Sequence, residues 1–94
     1  MEEPLSPTVA KRLIREGLGS GEVRFTRHAL EEMKKDGLEE IDCVNVLRGG
    51  AVGPGELANG SWRYPVRTPR VTVIVAFRSE AKLAVVTAWR EKPR

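Results

Sequence analysis

Cysteine and histidine are nearly missing from these 94 residues: each occurs once, as Cys43 and His28. A lone thiol forms no disulfide within its own chain, so the expected setting is a reducing cytoplasm. One Cys and one His also make no zinc cluster, and no metal site is expected. Long apolar runs are missing as well. The longest, Val71–Phe77, has seven residues, against the ~20 that a membrane-spanning helix needs. The opening MEEPLSPT is acidic and polar, unlike a secretory signal. There is no strand–GxxxxGK–helix phosphate loop. Glu31-Glu32 and Glu39-Glu40 read as exposed helix faces rather than paired catalytic carboxylates. Length excludes large multidomain enzymes, and no cofactor is expected.

What remains is a chain with 40% hydrophobic and 31% charged residues, the balance of one soluble globular domain over residues 1–94. Its charge is unevenly spread. Residues 1–61 hold eight Lys/Arg and eleven Asp/Glu, a net of −3. Residues 62–94 hold eight Lys/Arg (Arg63, Arg67, Arg70, Arg78, Lys82, Arg90, Lys92 and Arg94) against Glu80 and Glu91, a net of +6. Such polarity predicts a basic binding surface on one part of the fold.

The first half reads as helical. Ser6-Pro7 is a helix start, followed by Val9, Leu13 and Ile14 on one face, with Gly17 or Gly19 as the stop. Glu22–Phe25 alternates as a short strand. Thr26 is an expected N-cap for a helix burying Ala29, Leu30 and Met33 and closed by Gly37. A further helix over Glu39–Arg48 buries Ile41, Val44 and Leu47. Residues 49–61 are rich in glycine and read as a mobile loop. Trp62–Arg67, Arg70–Arg78 and Leu83–Arg90 then read as the strands of an antiparallel meander. The expected fold class is α+β, with N-terminal helices packed on one face of a C-terminal antiparallel sheet.

Strand alternation assigns faces. Trp62, Tyr64, Val66, Val71, Val73, Val75, Phe77, Leu83, Val85, Thr87 and Trp89 form the expected core side. Arg63, Arg67, Arg70, Arg78 and Arg90 fall on the other side, with small residues between them. A solvated outer face is the plain reading of such arginines. An anion-binding face is the sharper one, because a guanidinium matches phosphate geometry with a bidentate fork. Nucleic acid is the natural polyanion. In this register the aromatics face the core, so no stacking platform is expected. Arg78 and Arg90, ending adjacent strands, are candidate phosphate clamps, and Arg63, Arg67 and Arg70 would track an RNA backbone. His28 sits in the first turn of the second helix. It is either a helix-start residue bonded to a neighbouring loop or a proton-transfer group bordering a cleft with the basic strands. Cys43 reads as packing, and Tyr64 as a packed aromatic with a wet hydroxyl.

Gly21–Thr26, with Ala29, Asp36-Gly37-Leu38 and Asp42, resembles the start of MqsR-type toxins. His28-Ala29 with Met33, Gly37-Leu38, Asp42, Val44, Val46-Leu47, the Gly-rich loop and a closing Val-Val-Thr strand is similar to a small bacterial toxin-like domain family related to MqsR and BrnT toxins. The resemblance covers about residues 21–91 and is carried by a dispersed pattern rather than a single motif. It implies a RelE-like fold with a basic concave sheet face. It also implies the toxin of a type II toxin–antitoxin pair: a metal-independent endoribonuclease that cleaves mRNA and is neutralised by an antitoxin protein. No catalytic residue follows from the resemblance alone. The alternative is a domain that uses the same arginine-rich face to bind nucleic acid or a protein without catalysis.

Overall fold

Two side-chain caps on the helices carry the entry of the chain into its fold. In the computed structural model, which describes residues 1–92, Ser6 accepts a hydrogen bond from Val9 N at 3.2 Å and starts α1 (Pro7–Ser20). Thr26 accepts one from Ala29 N at 3.0 Å and starts α2 (Arg27–Lys35). Both hydroxyls satisfy N–H groups that a helix leaves without partners. The chain is α+β: among the described residues three helices accompany a six-stranded mixed sheet. The remaining elements are β1 (Val23–Phe25), α3 (Glu40–Gly49), β2 (Ala51–Val52), β3 (Glu56–Ala58), β4 (Ser61–Arg67), β5 (Val71–Ser79) and β6 (Lys82–Arg90). Among the described residues no helix is long and apolar enough to cross a membrane. Arg94, counted in the basic half, lies outside the described residues.

The sheet runs β1-β6-β5-β4-β2, with β3 paired to β4. The meander β4-β5-β6 is antiparallel, as expected, but the sheet is mixed because β1 lies parallel to β6. A three-residue strand followed by a helix that returns over its neighbour produces this parallel pair, which a meander cannot. The expected loop over residues 49–61 contains two strands. β2 pairs with the end of β4, and β3 forms a hairpin with its start. Asn59-Gly60 makes that hairpin, with φ of 51° and 75°. Positive φ at both central residues is the demand of the tight turn that matches strand twist.

The core draws on all three helices and the sheet. Ala10, Leu13 and Ile14 of α1, Ala29 and Met33 of α2, and Cys43, Val46 and Leu47 of α3 cluster with Tyr64, Val66, Val73, Val75, Leu83 and Val85. Two helix faces differ from expectation. Ile41 is 58% exposed while Cys43 is fully buried. The expected stripe 41-44-47 steps by three and drifts round a 3.6-residue helix. The observed one, 43-46-47, steps by three and four and stays facing the sheet. Leu30 is exposed for a related reason: Ala29 and Met33, four apart, already define the inward line of α2. α1 runs past Gly17 and Gly19 and stops at Gly21, whose φ of 81° provides the left-handed cap.

Tyr64 anchors the far side of the core. Its ring meets Phe77 edge-on at 5.3 Å. Gly55 lies so close that a Cβ there would stand 2.7 Å from the Tyr64 ring. The hydroxyl is not wet. It donates to Glu3 Oε2 at 2.8 Å and accepts from Leu5 N at 2.9 Å, tying the N-terminal segment over the sheet. Burial is the main cause of its raised pKa.

Thr26 has a second task. Its hydroxyl donates to Val86 O at 3.1 Å and its N–H donates to Val85 O at 3.0 Å, so the cap of α2 also clasps the middle of β6. Thr26→Val keeps the shape and removes both hydroxyl bonds. It should lower stability by about 1–2 kcal/mol, read as a fall in urea midpoint at unchanged m-value. Thr26→Ser, which keeps the hydroxyl, should retain most of the stability; a Thr26→Val variant as stable as the wild type would show that the hydroxyl bonds do not matter.

Candidate nucleic-acid interface

The clasp at Val86 coincides with a β-bulge. Along β5 and β6 the partners run Val71–Arg90, Thr72–Trp89, Val73–Ala88 and Ile74–Thr87, then shift to Val75–Val85, Ala76–Ala84 and Phe77–Leu83. Val86 is the extra residue. A bulge resets the alternation of its strand and re-aims every side chain beyond it. Leu83 and Val85 face the core as expected. Past the bulge the assignment inverts: Ala88 and Arg90 turn to the helix side, and Thr87 and Trp89 turn to the open face.

The open face is therefore built in rungs. One carries Arg67, Thr72 and Trp89; the next carries Pro65, Ile74 and Thr87. Beyond them Ala76 and Ala84 pair, Ala84 faces Arg24 of β1, and Glu56 of β3 faces Arg63. Glu56, Arg63, Pro65, Arg67, Ile74 and Trp89 line a pocket of about 330 Å³. Trp89 is held in place by Glu91, whose carboxylate accepts from the indole Nε1 at 3.3 and 3.2 Å and from the buried Thr72 hydroxyl at 3.0 Å. The ring is thereby oriented on the sheet surface.

The arginines of this face carry no paired acid. Among the described residues the ion pairs are Arg12–Glu16 and Lys35–Glu32, both on helices. Arg63 Nε is the one buried side-chain polar atom without a partner among them. Buried donors are nearly always bonded. An arginine fork kept unpaired beside an oriented indole is suited to a phosphate with a neighbouring base.

The six expected site residues separate into four places. Arg63 and Arg67 share the Trp89 pocket. Arg78 stands with Arg24 and Lys82 near the β5–β6 turn. Arg70 lies by the β4–β5 turn with Arg90, Glu91 and Lys92. His28 is exposed on α2, in the helix layer near Glu32, and lines none of these pockets. His28 and the basic strands share none of these three pockets. Arg90 requires a further correction. Antiparallel neighbours end at opposite edges, so Arg78 and the Val71–Arg90 rung lie seven residues apart along β5, roughly 23 Å at strand rise. Arg90 is also engaged elsewhere. Its Nε donates to Asp36 O at 2.9 Å and its second guanidinium nitrogen to Gly37 O at 3.3 Å, while its backbone N–H donates to Asp36 Oδ2 at 2.8 Å. It closes the C-terminal end of α2, where free carbonyls favour a cation.

Four residues of the face escaped the sequence reading: Thr87, Trp89, Glu56 and Arg24. Nothing in strict alternation signals the bulge that exposes Trp89. The Asn59-Gly60 dipeptide is a hairpin signal that points to β3, and so to Glu56 opposite Arg63. Arg24 joins the face because β1 is a member of the same sheet. Among the described residues no three His, Cys, Asp or Glu side chains converge as metal ligands. Comparison with protein-family models, curated proteins and solved structures finds no match to this chain.

Cys43 stands apart from this chemistry. Burial, then the neighbouring Asp42 and Glu40, push its thiol up to about 11. The folded state holds this proton more tightly than the unfolded chain, whose thiol titrates near 9. The associated stability is therefore complete below pH 9 and is lost as pH rises towards 11. Native protein at pH 8 should not react with a thiol-specific reagent until it unfolds. Cys43→Ala should flatten the decline in urea midpoint between pH 9 and 11, and an unaltered decline would refute the assignment.

Proposed function

We propose that this domain binds single-stranded RNA across the open face of its sheet. The observation that carries the reading is the pocket shared by Trp89, Arg63 and Arg67, with those arginines free of ion pairs among the described residues. A flat indole accepts any base by stacking, and arginines beside it meet the phosphates on either side. RNA in duplex form offers no exposed base to such a ring. The accompanying fold proposal is RelE-like, with the helices on the face opposite the arginines. Arg63 and Arg67 are the backbone contacts; Arg70 lies further along the same end of the sheet.

Fluorescence anisotropy with a labelled oligouridylate tests this. Affinity should fall steeply with salt. Arg63→Ala/Arg67→Ala should lower the slope of log K against log salt by roughly 1.4, at about 0.7 per phosphate contact. Trp89→Ala should cost about 1–3 kcal/mol, the worth of one stacked base. Thermal unfolding would confirm that each variant folds. Salt-independent binding, or affinity unchanged in both variants, would refute the interface.

A second reading is cleavage, as the toxin-like resemblance implies, and Glu56 is the observation that favours it. This carboxylate lies opposite Arg63 in the same pocket. In metal-free scission Glu56 would take the proton of a 2′-hydroxyl and O2′ would attack phosphorus. The P–O5′ bond then breaks, leaving a 2′,3′-cyclic phosphate, and O5′ takes a proton from water. Arg63 and Arg67 would neutralise the phosphoryl oxygens. His28 and Arg90 have no place in this scheme. A toxin of this kind also implies an acidic antitoxin segment competing with RNA for the arginines.

End-labelled RNA incubated in excess EDTA should yield cyclic-phosphate fragments, and Glu56→Gln should slow their release by roughly 10²–10⁴-fold, the usual contribution of a general base. RNA left intact by the wild-type protein would remove the cleavage reading and leave the binding one.

A further inference from the structure

Resting on the RNA-binding reading, we propose a second nucleotide subsite on the same strand of RNA, in the pocket between β1 and the β5–β6 turn. This pocket has about 320 Å³. Phe25, Leu83 and Ala84 line it with apolar surface, and Arg24, Arg78 and Lys82 bring three cations to it against one acid, Glu22. None of the three cations belongs to an ion pair among the described residues. An apolar recess edged by unpaired cations fits a base in the recess and its phosphate at the mouth.

The topology explains why such a recess exists. Leu83 N donates to Glu22 O at 2.9 Å and Thr26 N to Val85 O, so β1 is fastened beside the first half of β6. Arg24 then faces Ala84, and Ala84 faces Ala76. Both alanines are buried although they lie on the open face, at 4% and 1% exposure. Longer neighbours therefore close over the two short side chains. Arg63, one step beyond the Tyr64–Val75 pair, stands on their far side. Arg24, the two alanines and Arg63 thus lie in one row across the sheet, between the Arg24–Arg78–Lys82 pocket and the Trp89 pocket.

From the Thr72–Trp89 rung to Arg78 is six residues along β5, about 20 Å at strand rise. A strand of about 4 nucleotides or more would engage both ends, the lower range of single-strand site sizes. Two linked contacts raise affinity beyond either alone, because the second forms at high local concentration.

The experiment compares a uridine dinucleotide with an octauridylate on wild-type protein, Arg24→Ala/Arg78→Ala, and Arg12→Ala/Arg15→Ala. The last pair removes the same charge from exposed positions on α1. The octamer should bind wild type at least 10-fold more tightly than the dimer does. Arg24→Ala/Arg78→Ala should abolish that advantage and lower the octamer salt slope by roughly 1.4, with a much smaller loss for the dimer. The α1 pair should change neither. Octamer binding that survives Arg24→Ala/Arg78→Ala, or that falls equally in the α1 variant, overturns the subsite while the Trp89 interface stands. Absence of binding to either oligonucleotide by wild type overturns the RNA reading and the subsite together.

Discussion

The hydroxyl of Thr26 joins two things that the rest of the molecule depends on. It accepts from the first turn of α2 and donates to the carbonyl of Val86, the extra residue of the β6 bulge. A bulge leaves backbone groups without ladder partners. Here a side chain that must cap a helix also supplies the missing donor. One small residue therefore fixes where α2 begins and where β6 changes its alternation. The change decides the character of both faces beyond it: Trp89 is delivered to the open side, and Arg90 is returned to the helices.

Each of these two residues is then held by a partner that gives it a definite orientation. Glu91 takes the indole N–H and the Thr72 hydroxyl, so a large aromatic ring lies anchored on the sheet surface. Asp36 and Gly37 take the guanidinium of Arg90, which completes the end of α2. The contrast between arginines is informative. Arg90, the one with bonded carbonyls, is structural, whereas Arg63 keeps a buried Nε without a partner. Leaving a buried donor unsatisfied costs free energy that folding alone gives no reason to spend. The cost is recovered if an anion completes the site in the pocket that Arg63 shares with Arg67 and Trp89.

Much of the architecture was legible in the chain. Ser6-Pro7 and Thr26 mark helix starts, and the alternation from Trp62 to Phe77 marks two strands whose faces are as read. These signals are local: a cap needs only its own first turn, and a strand face only its own period. The errors are also specific. Strict period two was carried through Val86, which inverted the last four residues of β6. Arg78 and Arg90 were joined as strand ends, although antiparallel neighbours finish at opposite edges. The glycines of 49–61 read as a loop, although Asn59-Gly60 builds a hairpin.

The sequence by itself determined the class of the fold, the helix starts and the concentration of arginine in the second half of the chain. Those are set by propensity, spacing and charge, which act within a few residues. Only the tertiary structure decided which arginines face open surface, which one is spent on a helix end, and that a tryptophan and a glutamate join them. A bulge, a parallel edge strand and a hairpin partner are contacts between segments up to 60 residues apart. Their positions follow from how helices and strands share one core; of the three, only the hairpin has a local signal in the chain, Asn59-Gly60.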